Sequence, residues 1–344
     1  MAQDGEVVVA VTIQAVARKA GVSTATVSRV LQGSASASDA TRAKVIAAAH
    51  DLRYLPPDRP RAHVAPRHEA HGLVLADLTG SYWSELVAGH QLAAADLGQS
   101  VVVVLTQRRL GAAEAVRDLA RRVDGMVIAA NTVPDSVAHS LSRAMPVVLI
   151  GRHDVAGCDS LRAENLKSAA LLTSHLFEHG RSHLVFVGDP DSSPDISERY
   201  AGFRSAHAAA DVPIRRPPLR VPLGEGPGVQ VAEEILRRRV KLDGLVCGND
   251  ELALAIMKRL QGNGVRLPDD LAVVGWDDIL AARYTSPGLT TVRQPTRDLG
   301  RLAAAELHAR IVGGQPVGKP RVLPSKVVLR SSCGCPPLSP SAGA

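Results

Sequence analysis

The sequence has few aromatic residues and no long apolar run. Nine of its 344 residues are aromatic, namely three Phe, two Trp and four Tyr. Ala, Val and Leu must therefore form most of the core, and an aromatic residue in a loop becomes informative. No run of about 18 apolar residues occurs, which excludes a transmembrane helix. The N-terminal stretch carries acidic residues where a signal peptide carries basic ones, so we expect a protein that is not exported.

The motifs of common enzymes and metal sites are also missing. No G-x-S-x-G nucleophile elbow, Walker phosphate loop or H-E-x-x-H zinc motif occurs, so we expect no catalytic residue and no enzyme. The four cysteines are scattered, which indicates a reducing cytoplasm. His175 and His179 have a spacing that binds zinc on a helix, but nothing nearby in the sequence completes a ligand set. We expect no metal and no cofactor, and we place Cys333 and Cys335 on a disordered tail over 333–344.

Positive charge is concentrated at the N-terminal end. Residues 1–67 carry nine Lys and Arg against five acidic residues, which is +4 of the total net charge of +6. The other 277 residues are nearly neutral, with 31 basic and 29 acidic groups. A small basic segment on a neutral remainder is typical of a nucleic-acid-binding domain, because phosphate neutralisation and counterion release drive such binding. A basic surface without a partner explains the charge alone equally well.

Three short helices are predicted within the first 55 residues. Thr12 is placed to cap a helix over 13–20, which Gly21 ends because glycine tolerates the left-handed conformation found at helix C-termini. Ser23 is placed to cap a second helix over 24–31, and Ser38 a third that ends at residue 51. Two short helices joined by a three-residue turn that contains glycine are typical of a helix-turn-helix. The proline-rich stretch that follows is predicted to be a linker.

From residue 72 onward, short apolar runs alternate with amphipathic helices. The runs suit strands that are buried on both faces of a parallel sheet. Their alternation with helices predicts a doubly wound α/β fold, whose ligands bind at the carboxyl ends of the strands. The predicted strands cover residues 73–76, 101–105, 126–130, 147–150, 184–187, 245–247 and 272–274, and the clearest helices cover 84–97, 165–179 and 250–261.

Ordered motifs along residues 11–332 resemble the LacI/GalR family of transcription regulators. The head motif is VTIQAVARKAGVSTATVSRVL at 11–31, and PVVLIGR at 146–152, NDELAL at 249–254 and VVGWDD at 273–278 follow in the family's order. The resemblance implies an α/β protein with an N-terminal three-helix helix-turn-helix domain and a type I periplasmic-binding-protein-like body of two doubly wound α/β subdomains. It places the helix-turn-helix domain at 11–56, a hinge or linker at 57–69 and the body at 70–332, with an N-subdomain at about 70–163 plus 296–323 and a C-subdomain at about 164–295 plus 324–332.

The resemblance also implies which residues contact DNA. The second helix is expected to enter the major groove, and a dimer to read the two half-sites of a pseudo-palindromic double-stranded operator. Thr24, Ala25 and Arg29 occupy the family positions that face bases. Arg29 is suited to donate two hydrogen bonds to guanine, although a solvated helix face is the alternative interpretation. The other expected DNA contacts, mostly to phosphates, are Thr12, Ser23, Thr26, Ser28, Thr41, Tyr54 and Arg61.

Two features depart from the family pattern. Ala15 stands where the family has Asp, so the reciprocal cap at the start of the first helix is lost. In the linker, Pro57, Pro60 and His63 replace the Asn, Ala and Leu of the family's hinge helix, whose leucine wedges into the minor groove. Because histidine is a poor apolar wedge, we expect a weaker or different kink at the operator centre.

Aromatic and polar residues follow several predicted strands, where the resemblance places a small-molecule effector. Tyr82 and Trp83 form an adjacent aromatic pair, and Trp276 follows another strand. Aromatic faces stack on sugars or bases, while polar groups fix the orientation of a ligand. The alternative for Trp276 is a place in the core, and for Asp277 the cap of a helix. The polar candidates are Arg152, Arg199, Asn249, Asp277 and Gln294.

Together these features predict a sequence-specific DNA-binding transcriptional regulator. We expect a repressor of carbohydrate or related metabolic genes, with operator affinity controlled by a sugar-like effector bound between the subdomains. A homodimer is expected, because no heptad helix near the C-terminus would join two dimers. It would act in the cytoplasm, on the nucleoid when bound to DNA, and contact no membrane. Two rival functions are a solute-binding receptor, which requires an export signal, and a sugar- or nucleotide-modifying enzyme, which requires a catalytic base or phosphate loop.

Overall fold

In the computed structural model, which describes residues 12–31, 38–52, 54, 68–107, 109–238 and 241–336, the chain divides into two units between residues 66 and 67. The first unit, called the head, contains the helices α1 (Ile13–Ala20), α2 (Thr24–Leu31) and α3 (Asp39–Asp51). Each helix contributes a valine that is fully shielded from water: Val16, Val27 and Val45. The head therefore has a small apolar core of its own, and the three predicted helices are confirmed.

The ends of the head helices follow the capping chemistry of their residues. Gly21 has φ 67° and ends α1 in the left-handed conformation. The Ser23 hydroxyl accepts the N–H of Thr26 at 3.1 Å, and the Ser38 hydroxyl accepts the N–H of Thr41 at 3.4 Å. These three predictions are confirmed. Thr12 is the N-cap of α1 by position, but its side chain makes no capping hydrogen bond, so the prediction of a side-chain cap there was wrong.

The second unit, called the body, alternates strands and helices. Its strands are β1 (Ala70–Leu75), β2 (Ser100–Leu105), β3 (Gly125–Ala129), β4 (Val147–Ile150), β5 (Asp159–Ala163), β6 (Leu184–Val187), β7 (Gly244–Cys247), β8 (Ala272–Val274), β9 (Thr291–Arg293), β10 (Arg321–Leu323) and β11 (Lys326–Val328). Its helices are α4 (Ser81–Asp96), α5 (Ala112–Leu119), α6 (Asp135–Ser142), α7 (Leu166–Glu178), α8 (Pro194–Ala209), α9 (Glu225–Arg238), α10 (Asp250–Gln261), α11 (Leu280–Tyr284) and α12 (Thr296–Gly313).

Two parallel sheets organise the body. The larger lobe is built on six strands in the order β10-β5-β4-β3-β1-β2, and the smaller lobe on three strands in the order β6-β7-β8. Strands β9 and β11 form a separate antiparallel pair. Two apolar cores border each parallel sheet, because most strands are buried on both faces. The seven predicted strands and the α/β fold class are confirmed, whereas β5, β9, β10 and β11 were not predicted.

Helices α4 and α12 of the larger lobe cross in direct backbone contact. A Cβ atom added to Gly89 would lie 2.1 Å from the carbonyl oxygen of Arg297, and one added to Gly300 would lie 2.2 Å from that of Leu86. Such separations are shorter than any van der Waals contact, so only glycine fits at either position. This contact attaches α12, which comes late in the chain, to the first helix of the body.

The residues after β11 complete the core of the smaller lobe. The Ser332 hydroxyl donates to the carbonyl oxygen of Val273 at 2.6 Å and accepts the N–H of Thr290 at 2.8 Å. Cys333 is fully buried. The expectation that a disordered tail begins at residue 333 was therefore wrong, because backbone and side-chain hydrogen bonds fix this segment against β8.

No helix in the described ranges has both the length and the apolar character needed to cross a membrane. The hinge positions Pro57, Pro60 and His63 lie outside the described residues. The boundaries proposed for the head, the linker and the two subdomains stay predictions.

Candidate functional site

A cavity of about 440 Å³ opens at the carboxyl ends of strands from both lobes. Asp77 and Asn131 reach it from just beyond β1 and β3, and Asn249 and Asp277 from just beyond β7 and β8. This is the edge of parallel sheets at which α/β proteins bind ligands. Of the eight predicted effector residues, six line the cavity: Tyr82, Trp83, Arg199, Asn249, Asp277 and Gln294.

Trp276 does not line the cavity. Its side chain is 1% exposed and packs in the core of the smaller lobe. The guanidinium carbon of Arg199 lies 4.5 Å from the centre of the Trp276 ring, within the range of a cation–π contact. The prediction that Trp276 contacts the effector was therefore wrong, and the ring instead supports the arginine that faces the cavity.

Arg152 also lies outside the cavity. Its guanidinium donates to the carbonyl oxygens of Ala129 at 3.3 Å and Val133 at 2.8 Å, and it pairs with Asp135. The side chain is buried in these contacts, which fasten the loop between β3 and α6. Arg152 is thus a structural residue of the larger lobe, contrary to its predicted contact with the effector.

Arg199 is held in place by groups on three separate elements. Its Nε donates to Asn165 Oδ1 at 2.9 Å, and its Nη1 donates to the carbonyl oxygen of Gly248 at 2.7 Å. The residue is only 4% exposed. These contacts use two of its five N–H groups and fix the orientation of the guanidinium, and three N–H groups remain as donors.

Asp277 and Gln294 form a hydrogen-bonded pair in the cavity wall. Gln294 Nε2 donates to Asp277 Oδ1 at 2.6 Å. Burial raises the pKa of Asp277 to about 7, against the opposing effect of the Arg199 charge. Its backbone has φ 120°, a strained conformation for a residue with a side chain. The carboxyl group is therefore held in a fixed position and titrates near neutral pH.

Three acidic residues of the cavity, Asp77, Asp195 and Glu251, were not among the predicted effector residues. Asp195 lies in the first turn of α8, where its Oδ1 accepts Asn165 Nδ2 at 3.0 Å, and burial raises its pKa. Glu251 lies two residues after Asn249. Its carboxylate packs so closely against Gly80 that a Cβ atom added to that glycine would lie 2.3 Å from Glu251 Oε1. The sequence did contain a signal for Asp195: Ser193 and Pro194 mark a helix start after strand β6, and Asp195 lies in the first turn of that helix.

The lining of the cavity is acidic. Its charged residues among those described are four carboxylic acids, Asp77, Asp195, Glu251 and Asp277, and one arginine, Arg199. Burial also raises the pKa of the Tyr82 hydroxyl, which therefore stays protonated and able to donate a hydrogen bond. A lining of this kind offers many acceptors, two aromatic rings and few positive charges.

A second, more open cavity of about 590 Å³ shares Tyr82, Asp277 and Gln294. Most of its other lining residues belong to α4, α12 and the segments that connect the lobes, and several are exposed arginines. Because residues just beyond four parallel strands, β1, β3, β7 and β8, converge on the 440 Å³ cavity, it is the better candidate for a small-molecule site.

The head presents an exposed polar face on α2. Thr24, Ala25 and Arg29 are exposed, and Arg29 Nε donates to the carbonyl oxygen of Ala25 at 3.3 Å. Val27 and Val30 of the same helix point into the core. The remaining predicted DNA contacts that are at least partly exposed are Thr12, Ser23, Thr26, Ser28 and Thr41.

Tyr54 is 8% exposed and packs in the core of the head, so the structure gives it a packing role rather than a place on the exposed face. Arg61 lies outside the described residues. The predicted base and phosphate contacts of the other head residues stay predictions.

Both units match known families. Residues 12–57 match the family described as bacterial regulatory proteins, lacI family, and residues 173–333 match a periplasmic binding protein-like domain. The HTH-type transcriptional repressor PurR of Vibrio parahaemolyticus serotype O3:K6 (strain RIMD 2210633) is 30% identical over 330 residues, which cover 93% of this chain and 98% of that protein.

Two solved structures are similar over nearly the whole chain. The lac repressor dimer bound to operator and the anti-inducer ONPF has a TM-score of 0.76 and 28% identity, and the match covers 94% of this chain and 99% of that chain. A complex of the transcriptional regulator CelR with cellobiose has a TM-score of 0.71 and 27% identity, with the same coverage of 94% and 99%.

Proposed function

Because the chain belongs to the lacI family of bacterial regulatory proteins, and is thus a DNA-binding transcriptional regulator, we propose that it is a homodimeric repressor whose operator affinity is set by a neutral, hydroxyl-rich effector. The observation that carries the proposal is the occurrence in one chain of an exposed helix-turn-helix face and an acidic, aromatic cavity at the strand ends of two lobes. The dimer bound to operator among the similar structures supports the assembly, and the cellobiose complex supports a sugar as effector.

The charge of the cavity favours a neutral sugar over a sugar phosphate. Ionised carboxyl groups repel a phosphate or carboxylate, and the four carboxyl groups outnumber the single arginine even though burial raises the pKa of Asp195, Glu251 and Asp277. Carboxyl oxygens accept hydrogen bonds from hydroxyl groups, and the rings of Tyr82 and Trp83 offer faces for the C–H surface of a sugar. The effector is therefore a sugar or sugar derivative without an anionic group.

The proposed control of DNA binding is thermodynamic linkage. Asp77 and Asn131 belong to the larger lobe, while Asn249 and Asp277 belong to the smaller one, so an effector in the cavity contacts both. A ligand that prefers one arrangement of the lobes shifts the protein toward it. A coupling of about 1–3 kcal/mol changes operator affinity by roughly 5–150-fold.

The proposal includes the absence of catalysis and a cytoplasmic site of action. The relatives are transcriptional regulators. In the cavity, Asp277 is hydrogen-bonded to Gln294 and Asp195 to Asn165, so each carboxyl is engaged with an amide group of the protein. The chain would work on chromosomal DNA in the cytoplasm, without contact with a membrane.

The test begins with selection of bound DNA from a random-sequence pool by the full-length protein. We expect a pseudo-palindromic operator to be enriched. Fluorescence anisotropy then measures operator affinity in the presence of neutral sugars, amino sugars and sugar phosphates. We expect only uncharged or positively charged sugars to change the affinity, and Asp195→Asn to remove the response while leaving DNA binding intact. The control is Asp211→Asn, at an exposed residue outside the cavity.

The outcomes separate the parts of the proposal. A response to sugar phosphates alone would refute the effector class. Absence of any enriched operator, with or without a metabolite pool, would refute the function. Turnover of a sugar that is lost in Asp277→Ala would favour the rival enzyme.

A further inference from the structure

Two histidines and two cysteines converge in the smaller lobe, away from the effector cavity. His175 lies in the last turn of α7, His179 caps its C-terminus, and Cys333 and Cys335 lie on the segment after β11. One potential ligand atom from each residue falls within 4.8 Å of all the others. No residue near the two histidines in the sequence completes a ligand set, but the structure brings Cys335, 156 residues beyond His179, into contact with both.

The separations between these atoms match a tetrahedral metal site. His175 Nε2 lies 3.3 Å from Cys333 Sγ and 3.4 Å from Cys335 Sγ, and His179 Nε2 lies 3.3 Å from Cys335 Sγ. Zinc binds sulfur at about 2.3 Å and imidazole nitrogen at about 2.0–2.1 Å, so tetrahedral geometry places nitrogen and sulfur ligands about 3.5 Å apart. Three of the six separations are thus close to the tetrahedral value, and all six are at most 4.8 Å.

Hydrogen bonding alone accounts for these contacts poorly. An imidazole nitrogen carries either one proton or one lone pair, and so makes one well-aligned hydrogen bond. His175 Nε2 nevertheless contacts two sulfur atoms, and Cys335 Sγ contacts two imidazole nitrogens. A single central cation satisfies all of these contacts at once.

Groups around the cluster resemble the outer shell of a metal site. Glu178 Oε2 lies 3.5 Å from Nδ1 of His175, the arrangement in which a carboxylate orients a metal-binding histidine. The Thr290 hydroxyl donates to Cys333 Sγ at 3.1 Å, and the Cys333 thiol donates to the carbonyl oxygen of Arg330 at 3.2 Å, a proton that metal binding would release. Gly334 has φ 114°, and a Cβ atom there would lie 3.2 Å from His179 Nδ1. Glycine therefore lets the two cysteines pass close over the imidazole ring.

We propose that His175, His179, Cys333 and Cys335 bind one zinc ion in a closed, structural site. Two thiolates and two neutral imidazoles neutralise a dication, and a Cys2His2 set is a common set of ligands in structural zinc sites. The ion would attach the C-terminal segment to α7 and so complete the core in which Cys333 is buried. This proposal is independent of the proposed effector.

The test uses the full-length protein, purified under reducing conditions without chelator. We expect elemental analysis to find one zinc ion per chain. Replacement by Co²⁺ should give the intense visible bands of tetrahedral cobalt together with the near-ultraviolet charge-transfer band of thiolate ligands. Chelation should lower the Tm of the wild type and expose two further thiols to Ellman's reagent.

Variants locate the ion. His179→Gln and Cys335→Ser should lose the zinc and the cobalt spectrum, and chelator should no longer change their Tm. The matched controls, His153→Gln at an exposed histidine and Cys158→Ala at a cysteine outside the cluster, should retain one ion per chain.

Three results would overturn the proposal, and the first two need only the wild type. The first is that Co²⁺ added to the reduced protein gives no thiolate charge-transfer bands. The second is that Cys333 and Cys335 form a disulfide and no metal is bound. The third is that folded His179→Gln gives the same cobalt spectrum as the wild type. Because the wild-type spectrum is decisive by itself, a variant that fails to fold does not protect the proposal.

Discussion

Two buried histidines, which lie beside a third that is partly exposed, make the larger lobe sensitive to acid. His71 on β1 has its ring centre 5.4 Å from that of His90 on α4 and 6.1 Å from that of His308 on α12. Burial, reinforced by the neighbouring histidines, lowers the pKa of His71 to about 4 and that of His90 to about 3. Both rings are therefore neutral in the folded protein well below neutral pH.

The sign and size of the effect follow from proton linkage. In the unfolded chain a histidine has a pKa of about 6.5 and takes up about 0.7 of a proton between about pH 7 and pH 5, whereas folded His90 takes up almost none. The unfolded state is thus favoured as pH falls. At about 1.36 kcal/mol per pKa unit, each buried histidine removes roughly 2 kcal/mol from the free energy of unfolding over this range.

The assay compares urea unfolding of the wild type and His90→Leu at about pH 7 and about pH 5. We expect the loss of stability between the two conditions to be about 2 kcal/mol smaller in His90→Leu, because that proton uptake is removed. Carboxyl groups with raised pKa values, such as Asp277, act in the opposite direction but cancel in the difference. His153→Gln, at an exposed position, should behave as the wild type. Equal losses in the wild type and His90→Leu would refute the reasoning, as would a His90 pKa near 6.5 measured by NMR.

Three further predictions concern the helix crossing, the cavity and the head. Gly300→Ala should lower the free energy of unfolding by about 1–3 kcal/mol, because its Cβ would meet the Leu86 carbonyl. Gly226→Ala, at a position on α9 with open space around it, should not destabilise the protein, and equal effects of the two substitutions would contradict the close-contact argument. In the wild type, effector affinity should rise between about pH 6 and pH 8, because an ionised Asp277 accepts hydrogen bonds more strongly, and Asp277→Asn should abolish this rise. Calorimetry at several pH values measures the affinity, and a wild-type affinity that does not change with pH would count against this role. Arg29→Ala should relax base preference at one half-site position by about 1–3 kcal/mol in competition binding, and unchanged preference would exclude base readout.

Local chemistry made much of the fold predictable. The head helices could be bounded from Ser23, Ser38 and Gly21 because capping depends on neighbouring residues only. Strand β5 (Asp159–Ala163) could not, because its sequence DSLRA has no apolar run. Its Asp159 is accommodated in a buried strand because two groups far along the chain bind it: Arg310 pairs with it at 2.9 Å, and the N–H of Gly318 donates to it at 2.6 Å.

The candidate site was predictable only as far as strand ends reveal it. Asp277 was found because it comes soon after an apolar run, and Tyr82 because it forms an adjacent aromatic pair with Trp83 in the segment after β1. The sequence does not show which way a side chain at a strand end points, and so Trp276 and Arg152 were misplaced. Asp195 depends on how the start of α8 meets the cavity, and the His–Cys cluster depends on a contact between distant segments.

The segment around Ser332 is among the last parts of the chain to be synthesised, and this affects the order in which the domains can fold. The head residues emerge first from the ribosome and possess a core of their own. The smaller lobe cannot close its core until Ser332 and Cys333 have been made, and the larger lobe lacks β10 until residue 321. Since domains generally fold as units during synthesis, a nascent chain carries a complete DNA-reading head well before its effector-binding body can fold. Control by the effector is thus the last property that the growing polypeptide acquires.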